Sequence, residues 1–189
     1  MLFRSLNINT VSITVSPATL PSGTVGAPYV ATFSASGGSG PYTFSIYSGG
    51  LPPGMSLSNG QLTGTPSSFG QWIITVRGTD SNGNYGSMVY TLTILPVGIG
   101  PSSIPSATVN ALYNVQLAID NPYGTYTFEA LNDLPPGMSL DSSGLISGMP
   151  LSQGSGLVMV AATSDIDPSF VINKDYTFQI LPKIGRAHV

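Results

Sequence analysis

The segment Leu51-Pro52-Pro53-Gly54-Met55-Ser56-Leu57 is written a second time, unchanged, as Leu134-Pro135-Pro136-Gly137-Met138-Ser139-Leu140. A tail of the form Gly-x-[Leu/Ile]-[Ser/Thr]-Gly-x-Pro follows each copy, from Gly60 to Pro66 and from Gly144 to Pro150. The repetition reaches further. Pro17, Pro21, Val25, Ala27 and Tyr29 return 84 positions on as Pro101, Pro105, Val109, Ala111 and Tyr113, and Tyr42-Thr43-Phe44 returns as Tyr126-Thr127-Phe128. The stretch from Tyr90 to Pro96 returns 86 positions on, from Tyr176 to Pro182. A drift of two residues is what length changes in turns produce, because loop length costs little. The pattern therefore points to two copies of one domain of about 85 residues, not one domain with a duplicated loop.

The apolar pattern of each copy is that of strands. Val11 to Ser16 alternates up to Pro17, and Tyr29 to Ala35 reads as a second strand stopped by Gly37-Gly38-Ser39-Gly40-Pro41. Tyr42 to Tyr47 follows, with Tyr42, Phe44 and Ile46 on one face by period two. Met55 to Ser58 and Gln61 to Thr63 flank Asn59-Gly60, a hairpin signal. Gln71 to Thr79 is the longest strand, with Trp72, Ile74 and Val76 expected in the core. Asp80-Ser81-Asn82-Gly83-Asn84 then turns the chain into Ser87 to Leu95. No dozen residues carry helical apolar spacing without a Gly or Pro. The 23 Gly and 16 Pro belong to turns, and 41% hydrophobic residues set the chain apart from a disordered one. Short strands with turns every 8–12 residues predict an all-β fold, two tandem immunoglobulin-like, cadherin-like Greek-key β-sandwiches. The expected division is an N-terminal segment with the first strand (1–16), module 1 (17–96), module 2 (97–183) and a tail (184–189). Val97-Gly98-Ile99-Gly100-Pro101 is read as the linker.

Several function classes lose their footing. Only 7% of residues are charged and the net charge is −3, so no basic stripe exists to track phosphates and nucleic acid is a poor partner. Anionic membrane surfaces are disfavoured for the same reason, and no apolar run approaches the roughly 18 residues that direct membrane insertion needs. The first nine residues lack the continuous apolar region of a signal peptide. The chain has no cysteine, which removes disulfides, thiolate zinc sites and thiol catalysis. The absence of Asn-x-Ser/Thr favours a bacterial source over a glycosylated eukaryotic one. Ile184-Gly185-Arg186-Ala187-His188-Val189 matches one frame of a sequencing adaptor, which would make His188, the single histidine, an artefact and the chain a fragment of a longer protein. Without that imidazole no Ser-His-Asp arrangement can be built. Glu129, the one acid within a predicted strand, has no counterpart acid in module 1, where Ser45 stands, so no carboxylate pair suited to glycoside hydrolysis recurs. The expected function is non-catalytic.

With Pro-Tyr-Thr-Phe, Leu-Pro-Pro-Gly-Met-Ser-Leu, Gly-Gln-Leu-Thr-Gly-Thr-Pro and Gly-Thr-Asp-Ser-Asn-Gly in order, Pro17 to Leu95 resembles the Putative Ig domain family of bacterial surface proteins, kin of dystroglycan-type cadherin-like modules. Module 2 departs from that pattern. Asn110 stands for the early Gly, Met149 for the usual Thr, and Asp165-Ile166-Asp167-Pro168 for the Asp-Ser-Asn-Gly turn, so its last hairpin is expected to be irregular. The resemblance implies an extracellular or cell-surface stalk, spacer or adhesion module. Its partners would be neighbouring repeats of a longer chain, or a surface protein or glycan. The rival reading is a carbohydrate-binding accessory module of a secreted polysaccharide-degrading enzyme.

Few residues offer chemistry. In Leu-Pro-Pro-Gly two fixed φ angles and two missing amide donors keep the segment out of a sheet interior. It is expected to cross between sheets, extended, with Leu51 or Leu134 as its anchor; the alternative is a ligand for polyproline readers. Gly37-Gly38-Ser39-Gly40 has no Gly-Lys-[Ser/Thr] ending and no following helix, so it is a turn and not a phosphate loop. The cadherin-like kinship raises Ca2+ as a cofactor, to be held by Asp165 and Asp167, or by Asp80 and Asn82 at the matching turn. Against this stand an acid-free linker and the simpler role of Asp80 as the cap of its own Asx turn. Tyr47, Tyr85 and Tyr123 have no counterpart in the other module and fall at predicted loops, where exposed rings stack on sugars.

Overall fold

The computed structural model describes residues 11–183; residues 1–10 and the adaptor-like 184–189, with His188, lie outside the described residues. The chain divides between Pro96 and Val97 into two units, each with its own core. Unit 1 contains β1 (Thr14–Ser16), β2 (Gly23–Thr24), β3 (Tyr29–Thr32), β4 (Ser34–Ser36), β5 (Thr43–Ser48), β6 (Met55–Ser58), β7 (Gln61–Gly64), β8 (Gly70–Thr79) and β9 (Tyr85–Leu95). One sheet has the order β2-β9-β8-β5, a second the order β3-β7-β6, and β1 pairs with β4. β2 runs parallel to β9; the other pairings are antiparallel. Leu62, Ala31 and Tyr29 from the three-stranded sheet meet Ile74, Val76, Leu92 and Ile94 from the four-stranded one, which makes unit 1 a Greek-key sandwich. Burial of each such Leu or Ile stabilises the unit by about 1.5–3 kcal/mol. Trp72 packs at the margin of this core, while Ile74 and Val76 are fully buried, in line with period two along β8.

Unit 2 repeats the plan with β10 (Gly98–Gly100), β11 (Ala107–Thr108), β12 (Tyr113–Gln116), β13 (Ala118–Asp120), β14 (Tyr126–Ala130), β15 (Met138–Leu140), β16 (Leu145–Gly148), β17 (Gly154–Ser164) and β18 (Val171–Leu181). Its sheets are β11-β18-β17-β14, β12-β16-β15 and β10-β13.

Four expectations about strands and module boundaries change. The strand read over Tyr29 to Ala35 breaks at Phe33, whose amide leaves the ladder for the Gly60 carbonyl (2.7 Å). Its two halves, β3 and β4, then serve different sheets. The supposed linker is β10, the first strand of unit 2: Ile99 pairs with Ile119 and is buried in the unit 2 core. β1 likewise belongs inside unit 1, where Val15 is part of the core, so a boundary at residue 17 cuts the module. The last hairpin of unit 2 stays in regular register from Gly154 opposite Ile180 to Thr163 opposite Val171, and only its turn is longer. The two extra turn residues are absorbed outside the ladder.

The repeated tyrosines and prolines prove to be partners. Buried Tyr29 and Tyr113 donate their hydroxyls to the carbonyls of Pro21 (2.9 Å) and Pro105 (2.8 Å). Tyr90 and Tyr176 donate to Pro17 (2.7 Å) and Pro101 (3.0 Å). A buried phenol needs an acceptor, and a segment that proline excludes from the ladder leaves its carbonyls free to serve. Desolvation raises the pKa of all four phenols, and for Tyr176, where the charge of Asp120 adds to burial, to about 12.

The Leu-Pro-Pro-Gly motif does cross from β5 in one sheet to β6 in the other, but as a turn and not as an extended strut. The Met55 amide donates to Pro52 (3.2 Å) around Pro53 and Gly54, with Gly54 at φ 88°. Pro followed by Gly at the two central positions is the type II turn. Pro52 is fully buried, and Leu51 packs beside it only partly buried. The turn then clasps the repeated tail: Thr65 donates to Gly54 (3.2 Å) and Ser67 to Pro53 (3.0 Å), matched in unit 2 by Met149 to Gly137 (3.0 Å) and Leu151 to Pro136 (3.1 Å). A Cβ on Gly54 would stand 2.2 Å from the Thr65 carbonyl oxygen. Gly54→Ala is therefore expected to destabilise unit 1 by at least about 1–3 kcal/mol, the cost of a side chain at positive φ, with the collision added. Gly50→Ala, where a Cβ meets open space, should stay within about 0.5 kcal/mol. Thermal unfolding followed by circular dichroism compares the two, and equal melting temperatures would refute the interlock.

Candidate functional site

Three adjacent strands of the four-stranded sheet in unit 1 bring two of the sequence-predicted tyrosines together. The β5–β8 register passes from Ile46 opposite Val76 to Ser48 opposite Thr75, so Tyr47 is the extra residue of a β-bulge. A bulge re-aims side chains. Here it leaves Tyr47 and Ser48 on the same outer face: Ser48 donates to the Thr75 hydroxyl (2.8 Å), and the Tyr47 ring covers the guanidinium of Arg77, 3.6 Å from its centroid. From β9, Tyr85 covers the same guanidinium at 4.3 Å. Both rings remain about 60% exposed, Tyr47 at 61% and Tyr85 at 60%. An arginine held between two aromatic faces is a cation–π arrangement, which favours the planar guanidinium over an ammonium.

Arg77 was not among the residues singled out from the sequence, though one signal was present. It is the only Lys or Arg between Arg4 and Lys174, and it shares the outward face of β8 with Ile73 and Thr75. Its Nε is buried without a hydrogen-bond partner, and no carboxylate of the described residues pairs with the side chain. The matching positions of unit 2 are Leu131, Ala161 and Val171, so the same sandwich is built without the clamp. Tyr123, the third predicted tyrosine, lies before β14 in unit 2 and is 40% exposed.

The aspartates are turn formers. Asp80 is buried, and its carboxylate accepts from the amides of Ser39 (3.1 Å), Asn82 (2.9 Å) and Asn84 (2.8 Å) and from the Asn84 side chain (3.0 Å). The Asn84 side chain most, then the three amides, hold its pKa below the ordinary carboxylate value, against the opposing effect of burial. Asn82 enters through its amide, as an Asx turn requires. In unit 2 the Thr127 hydroxyl donates to Asp165 (2.8 Å), while Asp167 accepts from the amide (3.0 Å) and hydroxyl (2.6 Å) of Ser169. The side chains of Thr125 and then Thr127 lower the pKa of Asp165, and the hydroxyl and then the amide of Ser169 lower that of Asp167, each against the opposing effect of burial. A calcium ion needs six to eight oxygen ligands turned toward one point. In each predicted pair the carboxylates already accept from protein donors, and Asn82 takes part through its backbone amide alone, so neither pair turns a set of free oxygens toward one point. Among the described residues no three acids gather into a metal-binding group.

A family profile described as Putative Ig domain matches residues 11–95 and again 96–181. The serine-rich adhesin for platelets of Staphylococcus aureus strain MRSA252 is 26% identical over 168 residues, 83% of this chain and 12% of that protein. The same adhesin from strain USA300 is equally similar over 7% of its length, so the chain spans about a tenth of the curated relatives it matches. Among solved structures, the I9–I11 tandem of titin has TM-score 0.49 and 8% identity over 90% of this chain and 66% of that one. Cadherin domains 3–6 of protocadherin gamma B2 have TM-score 0.40 and 17% identity over 94% and 53%.

Two outcomes follow from the aspartate geometry. A carboxylate whose folded pKa is depressed contributes stability that is present above its unfolded pKa and lost as pH falls through the folded one. Unit 1 is therefore expected to lose stability as pH falls below about 4, and Asp80→Asn to weaken it at neutral pH while flattening that acid limb. An unchanged acid limb in the variant would show that Asp80 is not its source. Separately, millimolar calcium should leave both melting transitions where they are; a rise of several degrees in either would show a cation site that the carboxylates help to build.

Proposed function

Because the chain belongs to the Putative Ig domain family, matched twice across its length, we propose that it is a non-catalytic pair of modules from a bacterial extracellular or cell-surface protein, serving as spacer or adhesion modules. The observation that carries the reading is where the chain enters and leaves each sandwich. In unit 1 it enters at Ile13, whose carbonyl lies against Gly86 so closely that a Cβ there would stand 1.9 Å away. It leaves at Leu95, where the Val25 amide closes onto the Leu95 carbonyl (3.1 Å). Gly86 and Leu95 are opposite ends of β9, about 30 Å apart at ~3.4 Å per residue. Unit 2 follows suit. Lys174, near the start of β18, donates to the carbonyl of Pro101 just past β10 (2.8 Å), and Leu181, about 24 Å further along the strand at ~3.4 Å per residue, accepts from the Val109 amide (3.0 Å). A module threaded from end to end adds its length to whatever it joins.

The relative named as an adhesin supports a surface setting, and no helix among the described residues is long and apolar enough to cross a membrane. Single-molecule stretching tests the spacer. Two separate force peaks are expected, each releasing about 25 nm, the extended length of one module less its folded span. Smooth extension without a peak for either unit would remove the load-bearing reading.

A further inference from the structure

We infer that the Tyr47–Arg77–Tyr85 face of unit 1 binds a sugar acid, a pyranose bearing one carboxylate, with Arg77 pairing the carboxylate and the two rings packing against the sugar. The charge inventory comes first. Among the described residues of unit 1, Arg77 is the only Lys or Arg and Asp80 the only acid. Asp80 is saturated by four donors in its own turn. That leaves the guanidinium without a carboxylate partner among the described residues, packed against two rings that are each about three-fifths exposed. A guanidinium presents a planar fork of donors that matches a carboxylate, and fixing it beforehand lowers the ordering cost of binding.

The surroundings select the rest of the ligand. Ser87 stands directly opposite Arg77 in the β8–β9 register, and the hydrogen-bonded pair Ser48–Thr75 borders Tyr47. Hydroxyls beside exposed aromatic rings suit a pyranose, which carries hydroxyls at its rim and an apolar C–H face. One cation suits one carboxylate per ring; an acidic peptide, with several adjacent charges, would find a single partner. The fold does not require the clamp, since unit 2 builds the same sheet with Leu131, Ala161 and Val171. The inference is independent of the spacer reading: a load-bearing pair of modules without a ligand fails here and still shows two force peaks.

The test is titration of the intact chain with trigalacturonate, its neutral methyl ester and hexaglutamate, followed by calorimetry and by amide shifts in NMR. Trigalacturonate is expected to bind, with shifts confined to β5, β8 and β9. The methyl ester should bind at least tenfold more weakly. Arg77→Lys, which keeps the charge and loses the fork, should weaken trigalacturonate at least tenfold, and Tyr85→Ala likewise, each in a variant whose amide spectrum remains folded. Comparison of acid with ester on the unmodified chain needs no variant. The inference is overturned if ester and acid bind alike, if hexaglutamate binds as tightly as trigalacturonate, if Arg77→Lys changes nothing, or if trigalacturonate at 10 mM, a concentration on the order of ten times that of a 1 mM dissociation constant, shifts no resonance.

Discussion

Each sandwich is held in shape by a place where two backbones touch without side chains between them. The Pro-Pro-Gly turn lies against the Gly-x-Pro tail so closely that a Cβ on Gly54 or Gly64 would meet the other strand's backbone at 2.2 or 2.1 Å, and Gly137 and Gly148 repeat the contact at 2.1 Å each. This contact fixes where the β6–β7 hairpin sits, and so places Leu62 at the centre of the core. It also delivers Pro66 and Pro150, whose carbonyls accept from Gly26 (3.0 Å) and Asn110 (2.9 Å), tying the hairpin to the start of the module. The motif and its tail recur together because neither closes without the other.

Polar groups in this charge-poor protein are used one at a time. Phenols close onto proline carbonyls in the segment that follows the first strand of each module, and Asp80 and Asp141 each gather the donors of a tight turn, Asp141 through the amides of Ser143 (2.9 Å) and Leu145 (3.0 Å). In unit 2, Lys174 lies over the Tyr176 ring and donates to the Ile99 and Pro101 carbonyls. Satisfied polar groups of this kind rigidify a fold. Against that background, among the described residues of unit 1, Arg77 stands out as the charge that no carboxylate pairs.

Local signals were read well from the chain, and signals that depend on register were not. The Asn59-Gly60 turn, with φ of 48° and 76°, is a two-residue property and formed as expected. Core positions along β8 followed from period two. Tyr47 and Tyr85 were selected because they do not repeat, yet were read as loop residues. In fact Tyr47 is the bulge residue of β5 and Tyr85 opens β9, and their meeting across Arg77 depends on a one-residue slip that no periodicity announces. The Asx turn of Asp80 was legible because Asn82 lies two residues away; the bond from Ser39, 41 residues distant, was not. Val97 to Pro101 passed for a linker because Ile99 is a single apolar residue between glycines, and its burial rests on Ile119 across a pairing of distant segments.

What the amino-acid order determined by itself is the number of modules, their all-β sandwich and the chemistry of their turns. Those properties rest on repeats, alternation and Pro/Gly stereochemistry within a few residues of one another. Tertiary structure alone decided which strand begins each module, that the Pro-Pro-Gly step is a clasped turn, and that an isolated arginine is framed by two exposed tyrosines. The reason is physical: those features are contacts between segments tens of residues apart. Their geometry is set by sheet register and by backbones packed in direct contact, and local sequence carries no record of either.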